Sequence, residues 1–213
     1  MHAQKDSNSE GRVARRQKRN RRALIDAGRQ IMSEKGIDAS TMLEIAELAD
    51  VGAGTVYNYF KSKEDLAIAV LEELMHELAL KIERVTDTFD DPAQVYAFGI
   101  RTVIDTATGD VRWQQLLNRS EVLANATFRR MGPFAIRDME TATQAGRFKV
   151  DDPELTWKMT THAIVGVALA VASGELSKSV VDETVVRLLC MTGIGRKEAI
   201  DLAHRERPAL PES

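Results

Sequence analysis

The stretch from Thr41 to Lys63 constrains the fold most, because two short helices must fit there with a tight turn between them. Thr41-Met-Leu-Glu44 has the spacing of a capping box. In that motif the threonine hydroxyl accepts the amide three residues on, and the carboxylate returns to the amide of the cap. Met42, Ile45, Ala46 and Ala49 then share one helical face. Asp50-Val51-Gly52 supplies the turn, since Asp tolerates the left-handed region better than most residues. A second helix, predicted over Ala53 to Phe60, points Val56 and Phe60 inward because they lie four apart. Ile45, Ala46, Ala49, Val51, Val56 and Phe60 thus predict one small core, and a second helix packed across the first is a helix-turn-helix.

The rest of the chain also reads as helix, with no sustained strand alternation. A first helix is predicted from Asn20 to Lys35, striped by Leu24, Ile25, Gly28, Ile31 and Met32 and closed by Gly36. Ser62-Lys-Glu-Asp65 caps a long fourth helix reaching about Glu83, with Leu66, Val70, Leu71, Leu74, Met75 and Leu78 inward. Asp91-Pro92 and Asp152-Pro153 open two more, ended by Gly109 and Gly174. Between them fall a short helix from Asp110 to about Asn118 and a longer one from Ser120 to about Ala145, with a possible break at Gly132-Pro133. Val180 to Thr192 and Arg196 to Arg205 complete an all-α fold of about nine to ten helices. The organisation predicted is a flexible arm over 1–19, a three-helix helix-turn-helix domain over 20–65, a larger helical domain over 66–206 and a frayed tail over 207–213.

The net charge of −3 argues against a nucleic-acid partner until its distribution is considered. Residues 1–22 hold eight Lys and Arg against only Asp6 and Glu10, so a basic arm precedes an acidic body. Charge alone fits a solubilising tail equally well. The single cysteine, Cys190, allows neither an internal disulfide nor a cysteine zinc cluster, which fits a reducing, cytoplasmic setting. The N-terminus lacks the apolar segment of a signal peptide, and the longest apolar run, Ala163 to Ala172, is short for a membrane span. No metal, cofactor or membrane partner is expected.

The predicted second helix of the pair leaves Ala53, Gly54, Thr55, Tyr57, Asn58 and Tyr59 outside. Small residues at its start permit close entry to the major groove, roughly 12 Å wide. Thr, Tyr and Asn can bond phosphates or base edges, and Lys63 adds charge at a helix N-terminus. Two ordinary bundle helices with an interface tyrosine pair remain the other reading.

The run Arg22-Ala-Leu-Ile-Asp-Ala, then Glu34-Lys-Gly, then Thr41 through Leu66 with Gly54-Thr-Val-Tyr-Asn-Tyr-Phe-Lys-Ser-Lys63 at its centre, closely resembles the N-terminal domain of the TetR family of transcriptional regulators. The resemblance implies a DNA-binding regulator of the bacterial cytoplasm, not an enzyme, acting as a homodimer on a double-stranded operator. It sets DNA contacts on Thr41, Ala53, Gly54, Thr55, Tyr57, Asn58, Tyr59 and Lys63: Thr55, Tyr57 and Lys63 at phosphates, and Ala53, Gly54, Asn58 and Tyr59 nearest the bases. Asp50 stands where the family often has Gly, and Ala53 and Gly54 offer no side-chain hydrogen bonds. Readout is therefore expected to lean on Asn58, Tyr59 and DNA shape, helped by Arg15 to Arg22 at a minor groove or phosphates.

The resemblance also implies a larger domain with two roles. The last two long helices are expected to pair with their copies as a four-helix bundle. A small, mostly apolar effector is expected among Met75, Tyr96, Ile100, Trp113, Leu117, Glu121, Phe128, Met159 and His162. Each of these is open to a plain core reading; His162 can be a satisfied core histidine, Trp157 an interface anchor, and Glu121 half of a solvated pair with Arg119. The mechanism expected is repression released by effector. The alternative is a co-repressor-dependent or activating regulator. An enzyme has little support, for the sequence has no Gly-rich phosphate loop, GxSxG, HExxH or Cys/His cluster. A simple helical interaction protein would need neither the basic arm nor the Tyr/Asn/Lys face.

Overall fold

The structure, a computed structural model, describes residues 3–109 and 120–211, with side chains over 11–109 and 124–211. Nine helices and no strand occur among them. They are α1 (Ala3–Ala39), α2 (Met42–Leu48), α3 (Ala53–Val56), α4 (Lys63–Thr86), α5 (Pro92–Gly109), α6 (Ser120–Gln144), α7 (Pro153–Ala172), α8 (Val180–Cys190) and α9 (Arg196–His204). The chain divides into two compact units, Met1–Leu71 and Glu72–Ser213, so the division falls inside α4 rather than at its start. The short helix expected over 110–118 lies outside the described residues.

In the first unit, α1 begins at Ala3, where a flexible arm over 1–19 was expected. Apolar periodicity detects only helices that pack, and residues 12–19 are exposed throughout. Their Arg, Lys, Gln and Ala are nonetheless good helix formers. Gly36 breaks α1 at φ 84°, the left-handed stop read from the sequence, and Ile37 folds back into the core. The Thr41 box forms in full: Glu44 N–H donates to Thr41 Oγ1 at 3.3 Å, and Thr41 N–H donates to Glu44 Oε2 at 3.1 Å. Asp50 adopts φ 52° at the turn. Ile45, Ala46, Val51, Val56 and Phe60 are all buried.

The second unit is a helical bundle in which α6 packs along α7, α5 lies against both, and α8 and α9 close on α5. Asp91 caps α5 through the Ala93 amide at 3.0 Å, and Asp152 caps α7 through the Leu155 amide at 2.9 Å. The predicted break at Gly132-Pro133 does not occur, and α6 runs through both. Pro133 is on the exposed side, where water can satisfy the carbonyl left without its helical donor. The tail is irregular as read, yet it does not stand free: Arg207 pairs with Asp105 on α5, and Leu210 is half-buried.

Among the described residues, α7 is the one helix long and apolar enough, by length and composition, to cross a membrane. Its inward side, with Trp157, Thr160, Thr161, Ile164, Val165 and Ala168, is buried in this bundle.

Candidate DNA-binding face and effector cavity

In the first unit the recognition segment is shorter as a helix than expected. α3 is a single turn, Ala53–Val56, and Tyr57 to Tyr59 continue as hydrogen-bonded turns through Asn58 N–H to Thr55 O and Tyr59 N–H to Val56 O, both 3.0 Å. Gly, Thr, Tyr and Asn are weak helix formers, so the tighter i to i+3 pattern takes over. Phe60 N–H still reaches Val56 O at 3.0 Å, which keeps Val56 and Phe60 facing inward. Ala53, Gly54, Tyr57 and Asn58 are exposed, and Thr55 and Tyr59 are half-buried. A Cβ placed on Gly54 would meet nothing within 4 Å, so this end of the segment is open to a close partner.

Thr41 and Lys63 are engaged differently. The Thr41 hydroxyl donates to Glu44 Oε2 at 2.8 Å, and Lys35 Nζ meets Glu44 Oε1 at 2.5 Å. These bonds, Lys35 first, hold the Glu44 carboxyl below the usual range. Lys63 Nζ donates to the carbonyls of Asp38 and Ser40 at 2.8 and 3.0 Å, bracing the α1–α2 turn. An open groove of about 620 Å³ separates α1 from the recognition segment, lined by Ala14, Gln17, Lys18, Arg21, Thr55, Asn58 and Tyr59. Arg21 lies over the Phe60 ring at 5.3 Å. Sequence reading put positive charge here as an arm; it missed Gln17, and it missed that Lys18 and Arg21 are held on a helix.

In the second unit a cavity of about 40 Å³ lies among α4, α5, α6 and α7. Ile82, Ile100, Val103, Met131 and Phe134 give it an apolar wall. Glu83, Arg137 and Asp138 form its charged rim: Arg137 Nη1 meets Glu83 Oε1 at 2.6 Å, while its Nε and Nη2 both reach Asp138 Oδ1, at 3.1 and 2.8 Å. Burial pushes the Asp138 carboxyl up despite those bonds. Tyr96 is fully enclosed, its hydroxyl 3.3 Å from Thr160 Oγ1, and burial pushes its pKa up to about 12. Trp157 completes the lining; it is buried, and its indole Nε1–H has no hydrogen-bond partner.

Of the six expected effector residues whose side chains are described, the cavity gathers Tyr96 and Ile100. Met75 is buried outside the lining, its sulfur accepting from Thr127 Oγ1 at 3.2 Å. Phe128 is half-buried beneath Lys158 Nζ, 4.9 Å from the ring centroid. Met159 and His162 are exposed on the far side of α7, His162 bonded through Nδ1 to the Lys158 carbonyl at 2.8 Å. The difference between the expected set and this cavity lining has a physical source: α7 is apolar on several sides, and periodicity could not say which side packs inward. Trp113, Leu117 and the Glu121 side chain lie outside the described residues. Sequence reading missed Phe134, Arg137 and Asp138; Asp138 and Phe134, one turn apart on one face of α6, were the signal available.

The outward side of α7 carries Leu155, Met159, His162 and Gly166 at spacings of four, three and four, all exposed. The apolar stripe of α8 differs, since Val181, Val185, Val186, Leu188 and Leu189 are buried within the chain. Of the two helices expected to meet a copy, only α7 keeps an apolar face free.

A capped three-helix unit with an open recognition segment, followed by a helical bundle that holds a cavity, is the architecture of a helix-turn-helix transcriptional regulator with a second, helical domain. Residues 24–70 match the family model described as bacterial regulatory proteins, tetR family, and residues 91–205 match that of the tetracyclin repressor-like C-terminal domain. The chain belongs to the TetR family: it is a DNA-binding transcriptional regulator, as the family's members are, and not an enzyme. It is 31% identical over 117 residues to the HTH-type transcriptional repressor KstR of Mycolicibacterium smegmatis, covering 55% of this chain and 56% of that one. It is 37% identical over 70 residues to the fatty acid metabolism regulator protein of Bacillus subtilis, covering 33% and 34%. The chain thus matches between a third and just over half of the length of these relatives. Among solved structures it resembles RolR in complex with resorcinol, at 28% identity and a TM-score of 0.83, covering 93% of this chain and all of that one.

Proposed function

We propose that the chain is a homodimeric repressor of the cytoplasm that binds a pseudo-palindromic operator and leaves it when a small, mostly apolar effector occupies the cavity of the second unit. The observation that carries the DNA reading is the open run of Ala53, Gly54, Tyr57 and Asn58, facing Lys18 and Arg21 across a groove. Thr55 and Tyr57 hold phosphates, with Thr41 beside them, while Ala53, Gly54, Asn58 and Tyr59 lie nearest the bases. Lys63 has two of its three N–H donors engaged with main-chain carbonyls, and the third is the one a phosphate takes. Repression is supported by the name of the KstR relative. Dimerisation is supported by the free apolar strip of α7.

The effector reading is supported by the largely apolar cavity and by the resorcinol bound to RolR. α4 carries Lys63 near its start and Ala79, Ile82, Glu83 and Thr86 of the cavity near its end. An effector that prefers one placement of α4 shifts the dimer toward a conformer whose recognition segments no longer match the operator. A gel shift with the DNA upstream of the chain's own gene, at fixed ionic strength, tests the reading. A retarded complex that Asn58→Ala weakens is expected. Failure of the intact protein to bind any duplex DNA at low salt overturns it.

A further inference from the structure

We infer that the N-terminal half of α1 is a second DNA-binding element, which bridges the minor groove beside each half-site and holds phosphates of its far strand with Arg15, Arg16 and Arg19. This rests on the DNA reading above and extends it beyond the recognition segment.

The sequence gives this half of α1 two faces. Ala14, Gln17, Lys18 and Arg21, at spacings of three, one and three, share one side of a helix with 3.6 residues per turn, and they line the groove opposite Asn58 and Tyr59. Arg12, Arg15, Arg16 and Arg19 repeat that spacing on roughly the opposite side, and all four are exposed. In the second unit Arg130, Arg137, Arg147 and Arg205 each meet a carboxylate. Arg15, Arg16 and Arg19 meet none among the described residues. Like charges three and four apart on a helix repel, so this stripe works against the helix that carries it unless a polyanion lies beside it.

The stripe is held in place by the packed half of the same helix. Leu24, Ile25 and Ala27 are buried, and a Cβ on Gly28 would stand 3.3 Å from the Leu66 side chain. Non-helical angles inside α1 occur at Gly36, beyond that packed half, so the arginines ride on an unbroken extension of it. The Arg21 guanidinium over the Phe60 ring ties the extension to the end of the recognition segment.

Position then selects the partner. A recognition segment in the major groove leaves the bounding sugar-phosphate strand between itself and α1, on the side of Lys18 and Arg21. The arginine stripe, on the other side of the helix, faces across the next minor groove to the second strand. A helix with its side chains is about 10–12 Å across and the minor groove about 6 Å wide, so α1 spans that groove and does not enter it. Its arginines therefore meet phosphates, and their contribution is independent of sequence. A lipid surface is the poorer partner, because Gln17, Lys18 and Arg21 stand where an interfacial helix carries its apolar face.

Affinity against salt tests the inference, using a duplex that the full-length protein selects from a random pool. The duplex is made with about 10 bp of flank on each side, one helical turn, or cut at the half-site edges. Arg15→Gln, Arg16→Gln and Arg19→Gln together, which keep good helix formers, should flatten the slope of log K against log salt on the flanked duplex. The expected change is about 2.7 for each bound subunit, at about 0.9 for each phosphate given up. On the trimmed duplex the slope should be unchanged. Lys at the same three positions keeps the charge and should keep the wild-type slope, with equal helix in all three proteins by circular dichroism. Hydroxyl-radical cleavage should show the far strand of the flank protected by wild type and released by the Gln variant. An equal slope change on both duplexes places the arginines at the half-site and overturns the inference. No change on either makes the stripe a solvated face and overturns it too. A wild-type protein that selects no duplex sinks the DNA reading itself, whereas selection without flank protection sinks this inference alone.

Discussion

Lys63 Nζ donates to the main-chain carbonyl of Ser40 at 3.0 Å, across the turn that sets the Thr41 cap. The same ammonium reaches the Asp38 carbonyl at 2.8 Å, so a residue expected at the DNA backbone also serves the fold. Lys63→Met removes both bonds and leaves the partly buried Ser40 carbonyl without this donor. Urea denaturation should show a loss of about 1 kcal/mol, in the range for a hydrogen bond from a charged group in a partly solvated site. Unchanged stability with weakened DNA binding would mean that Lys63 serves the phosphate alone.

Asp50 at φ 52° carries a side chain where glycine is at ease. Asp50→Gly removes the Cβ clash but frees the unfolded chain, so stability should change by less than about 1 kcal/mol in either direction. Asp50→Val, branched at Cβ, should lose about 1–2 kcal/mol. Thermal melts of the two variants separate them, and equal melting temperatures would show that this turn is not strained by a side chain.

Asp91 ties three segments of the second unit. Its carboxylate caps α5 and accepts from Arg147 at 3.0 and 3.2 Å and from Arg205 at 3.3 Å, and Arg147 also reaches Glu198 at 2.5 Å. Burial alone would raise the Asp91 carboxyl; the bonds from Arg147 and the Ala93 amide outweigh it and hold it below its ordinary 3.8. A depressed folded-state value contributes stability that is present above 3.8 and lost as pH falls through the folded value. Asp91→Asn should therefore cost about 2 kcal/mol at neutral pH, after allowance for partial exposure, and should flatten the acid limb of stability below pH 3.8. Asp138 has the opposite sign. Its raised carboxyl stabilises below 3.8, and that contribution is lost as pH rises through the folded value. An acid limb identical in wild type and Asp91→Asn would remove Asp91 from the account.

Charge on α1 and chemistry on the recognition segment should separate by salt. If Lys18 neutralises one phosphate, Lys18→Ala lowers affinity and flattens the slope of log K against log salt by about 0.9. Asn58→Ala should leave the slope unchanged and lose about 1–3 kcal/mol of preference for operator over random duplex. Fluorescence anisotropy at several salt concentrations reads both quantities. A slope change for Asn58→Ala, or none for Lys18→Ala, would exchange their roles.

Helix starts were legible because caps are local chemistry. Thr41 with Glu44, Ser62 with Asp65, Asp91 with Pro92 and Asp152 with Pro153 each act within three residues. Gly36 and Gly174 were legible as stops, and both have φ near 80°. The outward segment around Tyr57 and Asn58 was legible because Val56 and Phe60 fix what faces inward. The cavity was not legible. It depends on which side of α7 packs, and a helix apolar on several sides does not encode that choice in its own periodicity. The start of α1 was missed for the converse reason, since a helix that buries nothing leaves no stripe to read.

The same ambiguity, resolved, yields a prediction about assembly. Leu155 and Met159 are 55% and 52% exposed, and with His162 and Gly166 they form a seam at heptad-like spacing along α7. An exposed apolar strip of this kind marks an interaction face, and Gly166 within it lets a second backbone approach closely. Met159→Glu places a charge in the seam without touching the inward side that carries Trp157 and Ile164. Sedimentation should then shift from dimer to monomer while helical content is unchanged. Operator affinity should fall on the order of 100-fold, because each half-site must be bound alone. A Met159→Glu protein that still sediments as a dimer would place the interface elsewhere. α8 would be a poor second choice, since its apolar stripe is already covered by its own chain.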